Sequence, residues 1–157
     1  MNTCFINSPL GITKIEGDDY GISAISTLFE GLVSEKIPAN LREAVSQLDE
    51  YFNGERTYFT FKINPKGTEF QLKVWQELGK IPFGKTISYL DLAKKLGDPK
   101  VIRAAASANG KNPLWIVVPC HRVIGTNGSL TGYAGGLWRK KWLLEHENPN
   151  NQMNLFE

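Results

Sequence analysis

The spacing of apolar residues changes character at Gly67 and divides the chain into a strand-rich part and a helix-rich part. Before Gly67, the runs Thr3-Asn7, Gly11-Glu16 and Tyr20-Ser26 lean toward β structure and are separated by Ser8-Pro9-Leu10 and Gly17-Asp18-Asp19, which carry turn chemistry. A three-stranded meander is expected there. From Pro38, apolar residues recur at Leu41, Ala44, Val45, Leu48 and Phe52, and Gly54 follows as a stop, so an amphipathic helix should cover the sheet. Tyr58-Ile63 alternates, with Phe59, Phe61 and Ile63 on one face, and predicts a further strand before Asn64-Pro65-Lys66-Gly67 breaks the chain.

Beyond Gly67 the period becomes helical. Thr68 with Gln71 forms a capping box ahead of the stripe Phe70, Val74, Leu78 and Ile81. Ser88 caps a helix whose inner face is Tyr89 or Leu92, Ala93 and Leu96, and Gly97 ends it. Asp98-Pro99 opens the next helix, through Ala108, with Gly110 as its stop, and the pair is a helix-turn-helix candidate. A last helix over 136–147 places Leu137, Trp142, Leu143 and Leu144, and a polar tail follows from Asn148. The expected organisation is a sheet-helix domain over 1–67, a helical domain over 68–147 and a tail over 148–157.

Charge sharpens the division. Residues 1–67 hold six Lys/Arg against nine Asp/Glu, whereas 68–157 hold twelve against seven, so only the second part is built to meet a polyanion. The N-terminus lacks a signal-peptide pattern and no apolar run reaches the roughly 18 residues of a membrane span, so a cytoplasmic protein is expected. With only Cys4 and Cys120, no disulfide framework is expected, and no C-x-x-C or H-x-x-x-H clamp supplies a metal site.

The chemistry concentrates in Pro119-Cys120-His121-Arg122-Val123, at the exit of the apolar run Trp115-Ile116-Val117-Val118, which reads as a buried strand. A thiol beside a histidine and an arginine is in a setting that lowers its pKa and favours the nucleophilic thiolate. His121 adjoins Cys120 directly, and in extended backbone their side chains would point to opposite faces, so a bridging water is needed between them. The helix Val101-Ile102-Arg103-Ala104-Ala105-Ala106-Ser107-Ala108 presents small side chains and one arginine. It could enter a minor groove about 6 Å wide, or simply pack tightly against its neighbours.

Taken together, the Asn112-Pro113 step, the Pro119–Val123 run, Gly132-Tyr133-Ala134-Gly135-Gly136 and Trp142-Leu143-Leu144-Glu145-His146-Glu147 closely resemble the O6-alkylguanine-DNA alkyltransferase family. The resemblance is carried by about residues 58 to 147 and reaches the first domain through architecture. It implies an α+β protein, with a small ribonuclease-H-like sheet and helix ahead of a helix-turn-helix, winged-helix-like alkyltransferase domain. The implied activity is a single-turnover transfer of an alkyl group from O6 of guanine, or O4 of thymine, onto Cys120. No cofactor is required for such a displacement.

The resemblance also implies residue roles. Glu147 would orient His121 in a relay to Cys120 through water, and the Asn112 amide would hold the cysteine loop. Arg103 would fill the stack vacated by an everted base, Tyr89 would crowd the 3′ phosphate and protonate guanine N3, and Lys100, Ala104, Ala105, Ser107, Ala108 and Arg122 would complete the DNA-facing set. Tyr133, Ala134, Val123 and Trp115 would wall the base pocket, with the Cys120 and Val123 carbonyls meeting the exocyclic amine and the Ala134 amide meeting O6. Trp115 would restrict large O6 substituents. The implied partner is double-stranded DNA entered from the minor groove by a monomer.

Outside that motif, Gln152, Leu155 and Phe156 resemble the peptides that bacterial replication proteins insert into the sliding clamp, with docking of the tail onto the first domain as the alternative. Two rival functions stand beside repair. One is a damage-sensing, alkyltransferase-like protein, which would lack the cysteine present here. The other is a cysteine hydrolase using Cys120 with His146 or His121.

Overall fold

The computed structural model describes residues 1–125, 127–128 and 133–149. Gln152, Leu155 and Phe156, with Gly132 of the glycine-rich run, lie outside the described residues. Two compact units are present, one comprising 1–66 with 113–117, the other 67–112 with the residues from 118 onward. The first thus takes back a short strip that the expected boundary at Gly67 leaves in the second.

In the first unit, β1 (Asn2–Ser8), β2 (Gly11–Asp18) and β3 (Gly21–Leu28) form an antiparallel meander with β2 in the centre. Register follows burial: Ile15 of β2 stands between Cys4 and Ile25, and all three are fully buried. A 3₁₀ turn over Ala39–Leu41 leads into α1 (Arg42–Phe52), whose Ala44, Leu48 and Tyr51 are buried. The expected strand at 58–63 does not form. Thr60 donates its amide to the Gln47 side chain at 2.8 Å, so a helix side chain takes the bond that a strand neighbour would have made. One parallel bridge, Ile22 with Ile63, remains.

The expected strand at 115–118 fails as well. Leu114 makes an isolated bridge to Ile25, then the backbone turns, with the Val117 amide on the Trp115 carbonyl at 2.9 Å. Ile116 sits at φ 75°, a conformation that costs a β-branched residue on the order of 1–3 kcal/mol and that burial of its side chain offsets.

The second unit contains α2 (Glu69–Leu78), α3 (Tyr89–Lys95), α4 (Ile102–Gly110) and α5 (Leu137–Glu147). Thr68 and Gln71 make both bonds of the capping box on α2, and Ser88 with Asp91 makes the equivalent pair on α3. Asp98 accepts the Lys100 amide at 2.9 Å and starts a 3₁₀ turn that runs into α4. Two short parallel strands, β4 (Ile87–Ser88) and β5 (Val123–Ile124), pair beside these helices. No helix among the described residues is long and apolar enough to cross a membrane.

Candidate active site

Cys120 opens a 3₁₀ turn, Cys120–Arg122, rather than ending a strand. Pro119 precedes it, and the Cys120 amide and the Asn112 side-chain amide both donate to the Val118 carbonyl, at 2.8 and 2.7 Å. The Asn109 amide reaches the Cys120 carbonyl at 3.4 Å. The nucleophile's backbone is therefore clamped from α4 and from the segment just after it.

Behind the turn lies a buried charge cluster. His121 is fully buried, and its Nε2 lies 2.8 Å from Glu147 Oε2. Glu147 also accepts from Arg122 Nε at 2.8 Å and Nη2 at 3.0 Å, while Arg122 Nη1 donates to the Ile81 carbonyl at 2.6 Å. Burial opposes charge on Glu147, but His121 and the Arg122 guanidinium outweigh it and hold the carboxyl far below its ordinary range. An ionised carboxylate only accepts, so His121 Nε2 carries the proton and Nδ1 carries the lone pair. Burial lowers the imidazole's pKa, keeping it neutral. Among the described residues none hydrogen-bonds to the buried Nδ1, a base with its acceptor site open.

The thiol is not in the expected state. Burial pushes Cys120 up to about 11, against weaker pulls downward from the Asn112 side chain and the Lys140 charge. A neighbouring histidine and arginine do not lower it, because His121 is neutral and Arg122 is spent on Glu147. The resting group is a thiol that needs a base.

Lys140 was not legible in the sequence. It is fully buried, its Nζ donates to the Val123 carbonyl at 2.6 Å, and the same ammonium lies 5.8 Å from the centre of the Tyr89 ring. Burial lowers its pKa to about 8. The one available signal was its place in α5: counting back one helical turn from the buried pair Leu143-Leu144 lands on Arg139 and Lys140, and counting forward lands on Glu147.

An open hollow of about 630 Å³ is lined by Tyr89, Ile102, Arg103, Ala106, Gly110, Tyr133 and Ala134, within the size range of small-ligand sites. Tyr133 borders the hollow, and burial, with a smaller effect from nearby Cys120, holds its phenol well above the usual tyrosine range. Lys100, Arg103, Ala104 and Ser107 are exposed on the same helical pair.

Three residues expected to face DNA, Ala105, Ala108 and Arg122, are placed otherwise. Ala105 and Ala108 are buried and cannot meet DNA; they are the packing face of α4, where Trp75 Nε1 donates to the Ala108 carbonyl at 2.9 Å. Arg122 is buried in its ion pair with Glu147 and does not face DNA. Trp115 lies in the first unit, where its amide donates to the Ile25 carbonyl, and its expected role at the pocket stays an expectation. Val123 is fully buried in β5, and its carbonyl accepts from Lys140 with a second lone pair left for the expected contact to a base. Among the described residues, no three of His, Cys, Asp and Glu converge as a metal site would require.

Comparison with known proteins fits both units. Residues 2–65 match the ribonuclease-like domain of 6-O-methylguanine DNA methyltransferase, and residues 69–149 match its DNA binding domain. The chain belongs to the 6-O-methylguanine DNA methyltransferase family. A methylated-DNA-protein-cysteine methyltransferase of Methanosarcina acetivorans is 44% identical over 154 residues, covering 94% of this chain and 98% of that protein. A Mycobacterium tuberculosis OGT, solved in complex with DNA, superposes with a TM-score of 0.87 at 41% identity, covering 95% of this chain and 94% of that one. A Mycobacterium tuberculosis O6-methylguanine methyltransferase structure gives 0.85 at 40% identity, covering 98% and 96%. In family terms, then, the hollow and the buried cluster belong to the DNA-binding part of a methyltransferase.

Proposed function

We propose that this protein repairs DNA by direct reversal, taking the alkyl group of O6-alkylguanine, and of O4-alkylthymine, onto Cys120 in one irreversible event. The observation that carries the reading is the ionised Glu147 behind a neutral, buried His121 whose Nδ1 is left as a base, on the residue next to the thiol. The names of its relatives and the DNA complex of one of them point the same way.

The geometry supports the following course. The Cys120 thiol gives its proton through a bridging water to His121 Nδ1, and Glu147 stabilises the resulting imidazolium. Lys140 offsets the charge on the sulfur. A sulfur lone pair attacks the saturated alkyl carbon, the bond from that carbon to O6 breaks, and its electron pair passes into the guanine ring, where the Tyr89 phenol supplies a proton at N3. A thioether remains on Cys120, so each molecule reacts once.

The target atom lies inside a duplex, so the base must be everted first. Tyr89 and Arg103 line the hollow that receives it, and the exposed Lys100, Ala104 and Ser107 approach the minor groove as a slim surface of a monomer.

Intact-mass measurement after mixing with a duplex carrying O6-methylguanine tests the reading. The wild type gains one methyl group and Cys120→Ser gains none. Release of methanol or turnover of an ester with no mass added would instead establish a hydrolase.

A further inference from the structure

The turn that walls the hollow is held from behind by a residue with no place in the chemistry above. Tyr133 to Gly136 closes on itself through the Gly136 amide and the Tyr133 carbonyl at 2.9 Å, and Gly136 takes φ 93°, a conformation suited to glycine. From the first turn of α5, Arg139 reaches back and donates Nη1 to the Gly135 carbonyl at 2.8 Å. Its guanidinium also lies 4.6 Å from the centre of the Trp138 ring, and the residue is 4% exposed. Burying a guanidinium is costly, and the Gly135 carbonyl and the Trp138 ring offset part of that cost.

We propose that Arg139 is a positioning and specificity-determining residue. By pinning the Gly135 carbonyl it fixes the Tyr133-Ala134 wall of the hollow, and so sets how large an O6 substituent is accepted. The inference rests on the hollow receiving the alkylated base. Two of its seven lining residues, Tyr133 and Ala134, belong to the pinned turn. Only Arg can make this contact fully: Lys could reach a carbonyl as a point charge but would lose the guanidinium's contact with the Trp138 ring.

Two measurements on the full chain test it. In the first, amide exchange of the free protein is followed in wild type, Arg139→Ala and Arg139→Lys. The Gly136 amide should exchange roughly tenfold faster in Arg139→Ala, as expected for loss of a charge-assisted bond. The Leu143 amide, deep in α5, should be unchanged, and Arg139→Lys should fall between. In the second, single-turnover rates are measured with O6-methylguanine and O6-benzylguanine. Arg139→Ala should raise the benzyl-to-methyl rate ratio roughly tenfold, chiefly through a slower methyl reaction, and Arg139→Lys should recover part of the wild-type ratio.

Unchanged Gly136 exchange overturns the pinning. Equal losses of both rates, with Leu143 exchanging faster, show general destabilisation and overturn it too. A wild type that accepts neither alkyl group sinks the repair function instead, and the exchange measurement still decides whether Arg139 holds the turn.

Discussion

At the scale of single residues, burial decides the charges that the site can use. Free histidine titrates near pH 6.5, but the folded protein resists charging His121, so below about 6.5 the unfolded chain binds the extra proton and the folded one does not. Stability should therefore fall as pH drops from about 6.5. Glu147 adds the same sign lower down: its contribution is complete above the ordinary glutamate value of about 4.3 and is lost as pH falls beneath it. Urea denaturation between pH 7 and 5, below the range where Lys140 titrates, should show stability declining ever more steeply, by up to about 1.4 kcal/mol per pH unit. A profile flat down to pH 5 would mean that the imidazole is not held neutral.

Glu147 itself separates chemistry from folding. Glu147→Gln keeps the shape but removes the charge that stabilises an imidazolium, and the methyl-transfer rate should drop roughly a hundredfold. Glu147→Ala also strands the buried Arg122 without its carboxylate, and should cost about 3–5 kcal/mol in denaturation. An undiminished methyl-transfer rate in Glu147→Gln would show that the carboxylate's role is structural alone.

At the scale of elements, the sequence was legible where local chemistry and burial agreed. The meander, α1 to α4 and the Thr68 and Ser88 caps follow from turn residues and periodicity. Ser88→Ala and Thr68→Ala should each cost about 1 kcal/mol, seen as a lowered Tm, because each leaves an orphan amide at a helix start. Legibility failed where side chains replaced backbone partners, as Gln47 does at Thr60, and where burial forced Ile116 into a left-handed turn that no periodicity announces.

The last helix is the most instructive miss. The apolar residues of this helix are Leu137, Trp142, Leu143 and Leu144, yet the buried stripe is Arg139, Lys140, Leu143, Leu144 and Glu147. Each of its three charges has a specific polar partner: the Gly135 carbonyl, the Val123 carbonyl and the Arg122–His121 pair. The motif could point to Glu147 by resemblance. It gave no hint of Lys140 or Arg139, because a charged residue inside is visible only once its partner's position is known.

At the scale of the whole molecule, charge is distributed for one task. The second part of the chain holds the cationic excess, and Lys94, Lys95, Lys100, Arg103 and Lys111 are exposed on or beside α3 and α4. Those cations that meet phosphates release counterions, so affinity for duplex DNA should fall as salt rises, with each contact contributing about 0.9 to the slope of log K against log salt. Lys100→Ala should lower that slope by about one and slow repair only as far as binding weakens.

Arg103 should behave differently, because it stands at the hollow as well as at the surface. If its side chain fills the gap left by the everted base, its value depends on there being a stack to fill. Arg103→Ala should then slow methyl transfer from duplex DNA by roughly tenfold to a hundredfold, the cost of leaving an unstacked site empty. Transfer from a single strand, or from the free base, needs no eversion and should be nearly unaffected. Single-turnover rates on the three substrates separate the cases, and an equal loss on all of them would place Arg103 in the chemistry or the fold rather than in opening the duplex.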